Sequence, residues 1–116
     1  MGNLLETIVE AIDDKKGSNI VSLDLSELDG AIAEHFVIAD AASNVQVAAI
    51  ADGVEEAVEK ELDRRVIRVE GKQNGLWVVM DYGEVMVHIF QTEMREFYNL
   101  EALWADADLT RYRFDE

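Results

Sequence analysis

Hydrophobic periodicity changes several times along this 116-residue chain, and the order of the changes limits the folds that it can adopt. Apolar residues recur at helical intervals over residues 4–12 and 47–62. Shorter runs, alternating or continuously apolar, predict strands at residues 20–25, 35–40, 66–70, 76–81 and 85–90. The predicted order, α-β-β-α-β-β-β-α, describes an α/β fold with a single-layer mixed β-sheet of about five strands flanked by helices.

Capping residues mark where the predicted helices begin. Residues 3–6 (Asn to Glu) and 43–46 (Ser to Gln) both have the spacing of a capping box, in which two side chains satisfy free backbone amides reciprocally. The second box precedes a long helix predicted over residues 44–63. Thr92 is expected to cap a short helix that runs through Tyr98.

The second half of the chain is expected to end in short, closely spaced elements. The turn compositions at residues 74–75 and 82–84 favour antiparallel hairpins, so the last three strands should form a meander. Residues 100–105 indicate a further helical turn. The polar residues 106–116 predict a loose C-terminal tail after a domain of residues 1–105.

Charge limits the kind of partner that this chain can bind. The net charge is −15, from 25 acidic and 10 basic residues, so counterion release by a basic surface cannot drive direct DNA or RNA binding. An acidic surface suits a basic protein, because complementary potentials speed encounter. The simpler alternative is that the charge serves only solubility or adaptation to salt.

Several kinds of site are excluded or disfavoured by the residues present. Without cysteine the chain has no disulfide, thiolate zinc site or cysteine nucleophile. The two histidines, His35 and His88, lack partners at metal-ligand spacing, and the glycines form no phosphate or dinucleotide loop. We therefore expect no metal and no cofactor. No basic and apolar leader or membrane-length apolar run is visible, which predicts a soluble cytoplasmic protein.

Nucleotidyl transfer is the enzymatic alternative with the most sequence content. Gly17-Ser18 precedes a predicted strand that carries Asp24, as in folds that hold two metal ions on strand carboxylates. Such sites need two or three converging carboxylates, yet the next residue on the same side of the strand is Ser26. The simpler interpretation of Gly17-Ser18 is a turn.

Trp77 is the aromatic residue that most suggests an interface. Val78 and Met80 can fill the core from one side of their strand, which directs Trp77, Val79 and Asp81 to the other side. Tryptophan often anchors protein interfaces, so this face of the sheet is a candidate docking surface. The alternative is a sheet covered by helices on both faces, with Trp77 inside.

Ordered motifs run along much of the chain, and the central ones lie at residues 68–71 and 77–90. Together they resemble the signature of the ribosomal silencing factor family, also called RsfS or Iojap. The chain also departs from the family pattern twice: Gln91-Thr92 stands where the family usually has His-Pro, and Val45 stands where a basic residue usually follows Ser43-Asn44. The further matching segments are residues 13–16, 36–39, 43–44, 95–98, 100–101 and 103–105.

The resemblance implies a fold similar to nucleotidyltransferases but without their catalytic carboxylates. It also implies a mechanism without catalysis: members of the family bind the large-subunit ribosomal protein numbered fourteen, block joining of the small subunit, and thereby repress translation. They are commonly homodimers. Motif position and strand faces predict the residues that contact the partner, namely Arg68, Glu70, Trp77, Asp81, Tyr82, Glu84, Met86 and His88. The divergent metal-dependent nucleotidyltransferase remains the alternative.

Overall fold

The computed structural model describes residues 3–113. Its elements follow the predicted order, and their bounds agree with the predicted strands and long helix within two residues. None of the helices among residues 3–113 is both long enough and apolar enough to cross a membrane. The elements are α1 (Leu4–Asp14), β1 (Ser18–Asp24), β2 (His35–Ala41), α2 (Asn44–Leu62), β3 (Arg68–Glu70), β4 (Trp77–Asp81), β5 (Val85–Gln91), α3 (Thr92–Tyr98), α4 (Leu100–Leu103) and β6 (Asp108–Arg111).

The strands form one mixed sheet in the order β3-β4-β5-β2-β1-β6. Strands β2 and β5 pair in parallel, and each of the other neighbouring pairs is antiparallel. The predicted meander of β3, β4 and β5 is confirmed. The parallel pair at the centre requires a long crossover, which α2 and the first two strands of the meander supply. The predicted α/β class is confirmed, with six strands rather than about five.

The sixth strand lies in the segment that we expected to be a loose tail. That prediction is wrong for residues 108–111, which pair antiparallel with β1 so that Leu109 faces Leu23. The pairing continues where the Tyr112 amide donates to the Ile20 carbonyl at 2.9 Å. The segment has one apolar side chain among polar neighbours, so its strand forms because β1 offers an unpaired edge. Residues 114–116 lie outside the described residues.

The predicted capping box at the start of α1 is confirmed. Asn3 Oδ1 accepts from the Glu6 amide at 2.8 Å, and Glu6 Oε1 accepts from the Asn3 amide at 3.3 Å. At α2 only half of the box forms: Ser43 Oγ accepts from the Gln46 amide at 3.1 Å. The Gln46 side chain instead donates to the Lys16 carbonyl, which ties α2 to the end of α1.

The start of α3 differs from the prediction. Thr92 is the first residue of the helix and does not cap it; Gln91 occupies the capping position without a side-chain hydrogen bond. The Thr92 hydroxyl lies within 3.0 Å of Asp40 Oδ1 and 3.1 Å of the Ala41 carbonyl. A threonine hydroxyl can bond several backbone and side-chain groups, and here both of its partners lie at the end of β2.

The core is divided between the two faces of the sheet. Helices α1 and α2 cover one face, where their apolar side chains pack on Val37, Ala39, Val78, Met80, Val87 and Ile89. On the opposite face, which we call the aromatic face, Phe36, Ile38 and Phe90 are buried, with Trp77, Met86, Leu100 and Trp104 packed around them. Residues of α3, α4 and the β1–β2 connection cover this face only in part. Val79 and Asp81 on it consequently remain half-buried.

Candidate protein-docking surface

Strand register brings most of the predicted contact residues to one face of the sheet. Directly opposed residues in a ladder share a face, so the pairings of Arg68 with Asp81 and of Asp81 with Met86 make one row across β3, β4 and β5. Glu70 pairs with Val79, and Val79 with His88, in a second row. The aromatic face therefore carries six of the eight predicted residues: Arg68, Glu70, Trp77, Asp81, Met86 and His88.

The outer edge of this surface is charged and exposed. Arg68 Nη1 lies 3.3 Å from Glu70 Oε2, and the two side chains are 71% and 64% exposed. An exposed pair of this kind contributes little to stability, so either side chain can exchange its partner for one on another protein. Asp81 Oδ1 accepts from the Gly83 amide at 2.8 Å, which fixes the carboxylate at the turn between β4 and β5.

Trp77 lies at the centre of an aromatic group and remains half-buried. Its indole stacks on Phe90 at 5.0 Å between ring centroids and contacts Tyr98 at 4.5 Å. Its Nε1–H donates to His88 Nδ1 at 3.1 Å. Packing and this hydrogen bond fix the side chain before any partner arrives, so little conformational entropy remains to be lost on binding.

His88 supports Trp77 from within the protein. Only 5% of the residue is exposed, and Nδ1 accepts the indole hydrogen bond, so the neutral ring carries its proton on Nε2. Nε2 has no hydrogen-bond partner and the ring lies 4.6 Å from that of Phe36. Burial lowers the pKa of His88 from 6.5 to about 4. His88 is among the predicted direct contacts, but its burial leaves it only an indirect role in any contact at this face, through its hydrogen bond with Trp77.

Tyr82 lies in the core on the helix-covered side. It is fully buried and clusters with Val78 and Met80. The prediction that its side chain contacts a partner therefore conflicts with its burial. Burial raises the pKa of Tyr82 to about 12. The sequence did contain a signal for this position, since residues 78, 80 and 82 continue the strand alternation that directs Val78 and Met80 inward.

Glu84 lies at the end of the β4–β5 turn rather than on the aromatic face. Arg64 holds it in a bidentate pair, with both N–O distances at 2.7 Å, and the same guanidinium donates to the Tyr82 carbonyl. Hydrogen bonds from Arg64 lower the pKa of Glu84 to about 2. Nothing in the local sequence indicated Arg64, because the two residues are separated by 20 positions.

A buried ionic network attaches α3 to the sheet next to this surface. Arg95 Nη1 lies 2.9 Å from Asp40 Oδ2 and donates to the Asn19 carbonyl at 2.6 Å. Its Nε and Nη2 donate to the two carboxylate oxygens of Glu101 at 3.2 and 3.1 Å. No sequence pattern indicated a role for Arg95 or Asp40, because the two residues are 55 positions apart. The network positions the helix whose aromatic residues border Trp77.

Comparison with known proteins identifies the family. Residues 1–116 match the family described as ribosomal silencing factor during starvation. The chain belongs to the ribosomal silencing factor family. A ribosomal silencing factor from Halalkalibacterium halodurans is 40% identical over 90% of this chain and 87% of its own length. One from Bacillus subtilis is 36% identical over 97% of this chain and 93% of its own length.

A solved structure agrees with the family assignment. The crystal structure of a protein from Chromobacterium violaceum superposes with a TM-score of 0.82 at 35% identity, covering 88% of this chain and 83% of the other. The resemblance inferred from the sequence motifs is therefore confirmed. Ribosomal silencing factors are regulatory factors that act on ribosomes, and the chain is assigned to that class.

The departure of this silencing factor from the family pattern at Gln91-Thr92 has a structural counterpart. Proline is common at the first position of a helix, and Thr92 occupies that position here. Its hydroxyl joins the Asp40 network instead. The helix thus begins at this position, and the hydroxyl adds a link between α3 and β2.

The residues expected of a nucleotidyltransferase do not converge. Asp24 Oδ1 accepts from the Ser26 amide at 3.0 Å and from its hydroxyl at 2.6 Å, and these bonds lower the pKa of Asp24. His35 Nε2 lies 4.0 Å from Asp24 Oδ2. Over residues 3–113 no three His, Cys, Asp or Glu side chains group where they could hold a metal ion. The enzymatic alternative has no geometric support within that range.

Proposed function

We propose that this protein binds the large ribosomal subunit through its protein numbered fourteen, and that its bulk then blocks joining of the small subunit and represses translation. Family membership over the whole chain carries the proposal. The contact is assigned to the aromatic face, where a preorganised tryptophan lies inside a charged rim. That arrangement of a buried centre and a polar edge is typical of protein interfaces.

Blocking of this kind requires size and placement but no chemistry. The chain has a mass of 13.0 kDa and extends 31 to 33 Å along each principal axis. A body of that size, fixed on one subunit, excludes any surface that would otherwise approach within about 30 Å, since packed protein interiors hardly compress. We therefore propose a cytoplasmic, non-enzymatic factor that needs no cofactor, metal or membrane.

The direct contacts are proposed to come from Arg68, Glu70, Trp77, Asp81 and Met86. Glu84 would border them at the turn, while Tyr82 and His88 would act from inside the protein. The net charge of −15 suits a basic ribosomal protein and disfavours contact with RNA phosphates. We propose that the free protein is a homodimer and that the silencing domain of residues 1–105 works together with strand β6.

Subunit joining provides the test. Purified protein is added to dissociated subunits, the magnesium concentration is raised to promote joining, and the products are separated on a sucrose gradient. We expect the protein to sediment with the large subunit and the yield of joined ribosomes to fall as its dose rises. Undisturbed joining at a saturating dose contradicts the proposal.

The nucleotidyltransferase alternative predicts a different result. Isothermal titration of the purified protein with a nucleoside triphosphate and magnesium should give no heat of binding if the protein acts only by obstruction. A measurable heat that disappears in Asp24→Asn favours the enzyme. Val45→Ala is the control, because Val45 is an exposed side chain on α2 rather than on the strand that carries Asp24.

A further inference from the structure

We propose that Phe97 and Tyr98 on α3 form a second part of the docking surface, and that this part receives an arginine side chain of a basic protein. We call these two residues the α3 ridge. The inference rests on the proposed function, because the ridge borders Trp77, which we place at the centre of the ribosomal contact. It adds a location and a recognition chemistry that the proposed function does not contain.

The ridge is exposed and continuous with the aromatic face. Phe97 is 76% exposed and Tyr98 is 47% exposed. The Tyr98 ring contacts that of Trp77 at 4.5 Å, and Phe97 meets Tyr98 edge to face at 5.2 Å. The aromatic surface therefore runs without interruption from the sheet onto the helix. Contiguous exposed apolar surface of this kind marks interaction sites more often than single exposed residues do.

Arg95 determines what the ridge presents to solvent. It is the single cation of α3, and it points inward, where Asp40, Glu101 and the Asn19 carbonyl accept its hydrogen bonds. The helix therefore exposes two rings together with the carboxylates of Glu93 and Glu96. This outer surface combines aromatic faces with negative charge and offers no cation.

An arginine side chain fits this combination best. The faces of aromatic rings attract cations, and a guanidinium can stack on a ring while it donates to a carboxylate. RNA bases could also stack on the rings, but a chain of net charge −15 repels the phosphates that accompany them. A second copy of the chain carries the same negative charge, which disfavours the ridge as a self-contact.

Substitutions that separate ring character from apolar area test the proposal. Affinities for purified large subunits are measured for the full chain and for Phe97→Leu, Phe97→Ala and Phe97→Trp. We expect Phe97→Leu and Phe97→Ala to bind roughly 5- to 10-fold more weakly and Phe97→Trp to retain affinity, because the attraction depends on the ring. Val45→Ala is the control for an exposed apolar residue elsewhere, and circular dichroism verifies the fold of each variant.

A peptide measurement is independent of the ribosome. An arginine-rich peptide and the same peptide with citrulline in place of arginine are titrated into the wild-type protein and Phe97→Leu, and followed by NMR. We expect upfield shifts of the arginine side-chain protons with the wild type, caused by the ring currents of Phe97 and Tyr98, and smaller shifts with Phe97→Leu, which keeps only the Tyr98 ring. The citrulline peptide should show no such shifts.

Each outcome has a separate meaning. If the wild type fails to bind large subunits, the proposed function fails, and the peptide result alone decides whether the ridge binds arginine. If the wild type binds and Phe97→Leu binds equally well, the ridge proposal is overturned while the proposed function stands. If Phe97→Leu loses affinity for protein-free ribosomal RNA, the ridge proposal is overturned in favour of RNA. If Phe97→Leu shifts the monomer–dimer equilibrium measured by sedimentation velocity, it is overturned in favour of a second copy of the chain.

Discussion

Trp77 is both packed and available, which makes it the best single test of the docking surface. Its indole is fixed by Phe90, Tyr98 and His88 and yet remains half-buried. We predict that Trp77→Ala weakens binding to the large subunit by about 2 kcal/mol, or roughly 30-fold, as expected for a central interface anchor. Because the side chain also packs internally, Trp77→Phe should recover part of the affinity. An unchanged affinity in a folded Trp77→Ala protein would remove Trp77 from the contact.

The buried imidazole of His88 predicts a dependence of stability on pH. Its pKa is lowered to about 4 in the folded protein from the ordinary 6.5, so between these values the unfolded chain binds more protons. The free energy of unfolding should therefore be highest above pH 6.5 and fall as the pH drops towards 4, by about 3 kcal/mol in total. Protonation would also place a donor on Nδ1 opposite the indole N–H of Trp77.

Urea denaturation of the wild type and His88→Gln between pH 4 and pH 7.5 measures this effect. In His88→Gln the free energy of unfolding should fall less between pH 6.5 and pH 4 than it does in the wild type. His35→Gln is the control, because His35 lies at the start of β2, outside the aromatic group, and its removal should leave the pH dependence in place. Parallel curves for the wild type and His88→Gln would contradict the assignment.

The attachment of α3 depends on an ion pair that is almost completely removed from water. The Asp40 and Arg95 side chains are 3% and 10% exposed. We predict that Asp40→Ala lowers the free energy of unfolding by about 3 kcal/mol, since it leaves a buried guanidinium with one fewer partner. Arg95→Met should cost at least as much, because it leaves the Asp40 carboxylate buried without a cation and the Asn19 carbonyl without this donor. Thermal or urea unfolding of both variants provides the measurement, and a clearly smaller cost for Arg95→Met would contradict the argument.

Elements with local signals could be predicted from the sequence, whereas those that depend on distant partners could not. Three or four consecutive residues are enough to indicate the capping box of α1 and the turns of the meander. Strand β6 has no alternating pattern, and it forms because β1 leaves its edge free. The pairing of Thr92 with Asp40 and that of Arg64 with Glu84 join residues far apart in sequence, which periodicity does not report.

The candidate surface also has a part that local sequence patterns predict and a part that depends on distant contacts. Strand alternation indicated that Trp77, Val79 and Asp81 share a face, and register across three strands then gathered the predicted residues. Alternation also indicated that Tyr82 points inward, but its place in a turn composition obscured that signal. The burial of His88 depends on the approach of the Phe36 ring from β2, and no sequence pattern contains that information.

At the scale of the whole molecule, the net charge of −15 predicts opposite electrostatic effects from the two components of the ribosome. A basic ribosomal protein attracts the chain, and ribosomal RNA repels it. Salt screens both interactions beyond about 10 Å at 0.1 M. With isolated protein fourteen we therefore predict that the association rate constant falls about tenfold between 20 and 200 mM salt. With the intact large subunit the decrease should be smaller, because screening also relieves repulsion by RNA.

Stopped-flow measurements on both targets can separate these effects. Neutralising exposed carboxylates of α2, as in Glu56→Gln with Glu59→Gln, should slow association with the isolated protein and leave its dissociation rate constant unchanged, since α2 covers the sheet face opposite the proposed contact. The same variant should associate with the intact subunit as fast as the wild type or faster. Identical salt dependence on both targets would mean that RNA does not influence the approach, and the acidity would then serve only attraction to the protein or solubility.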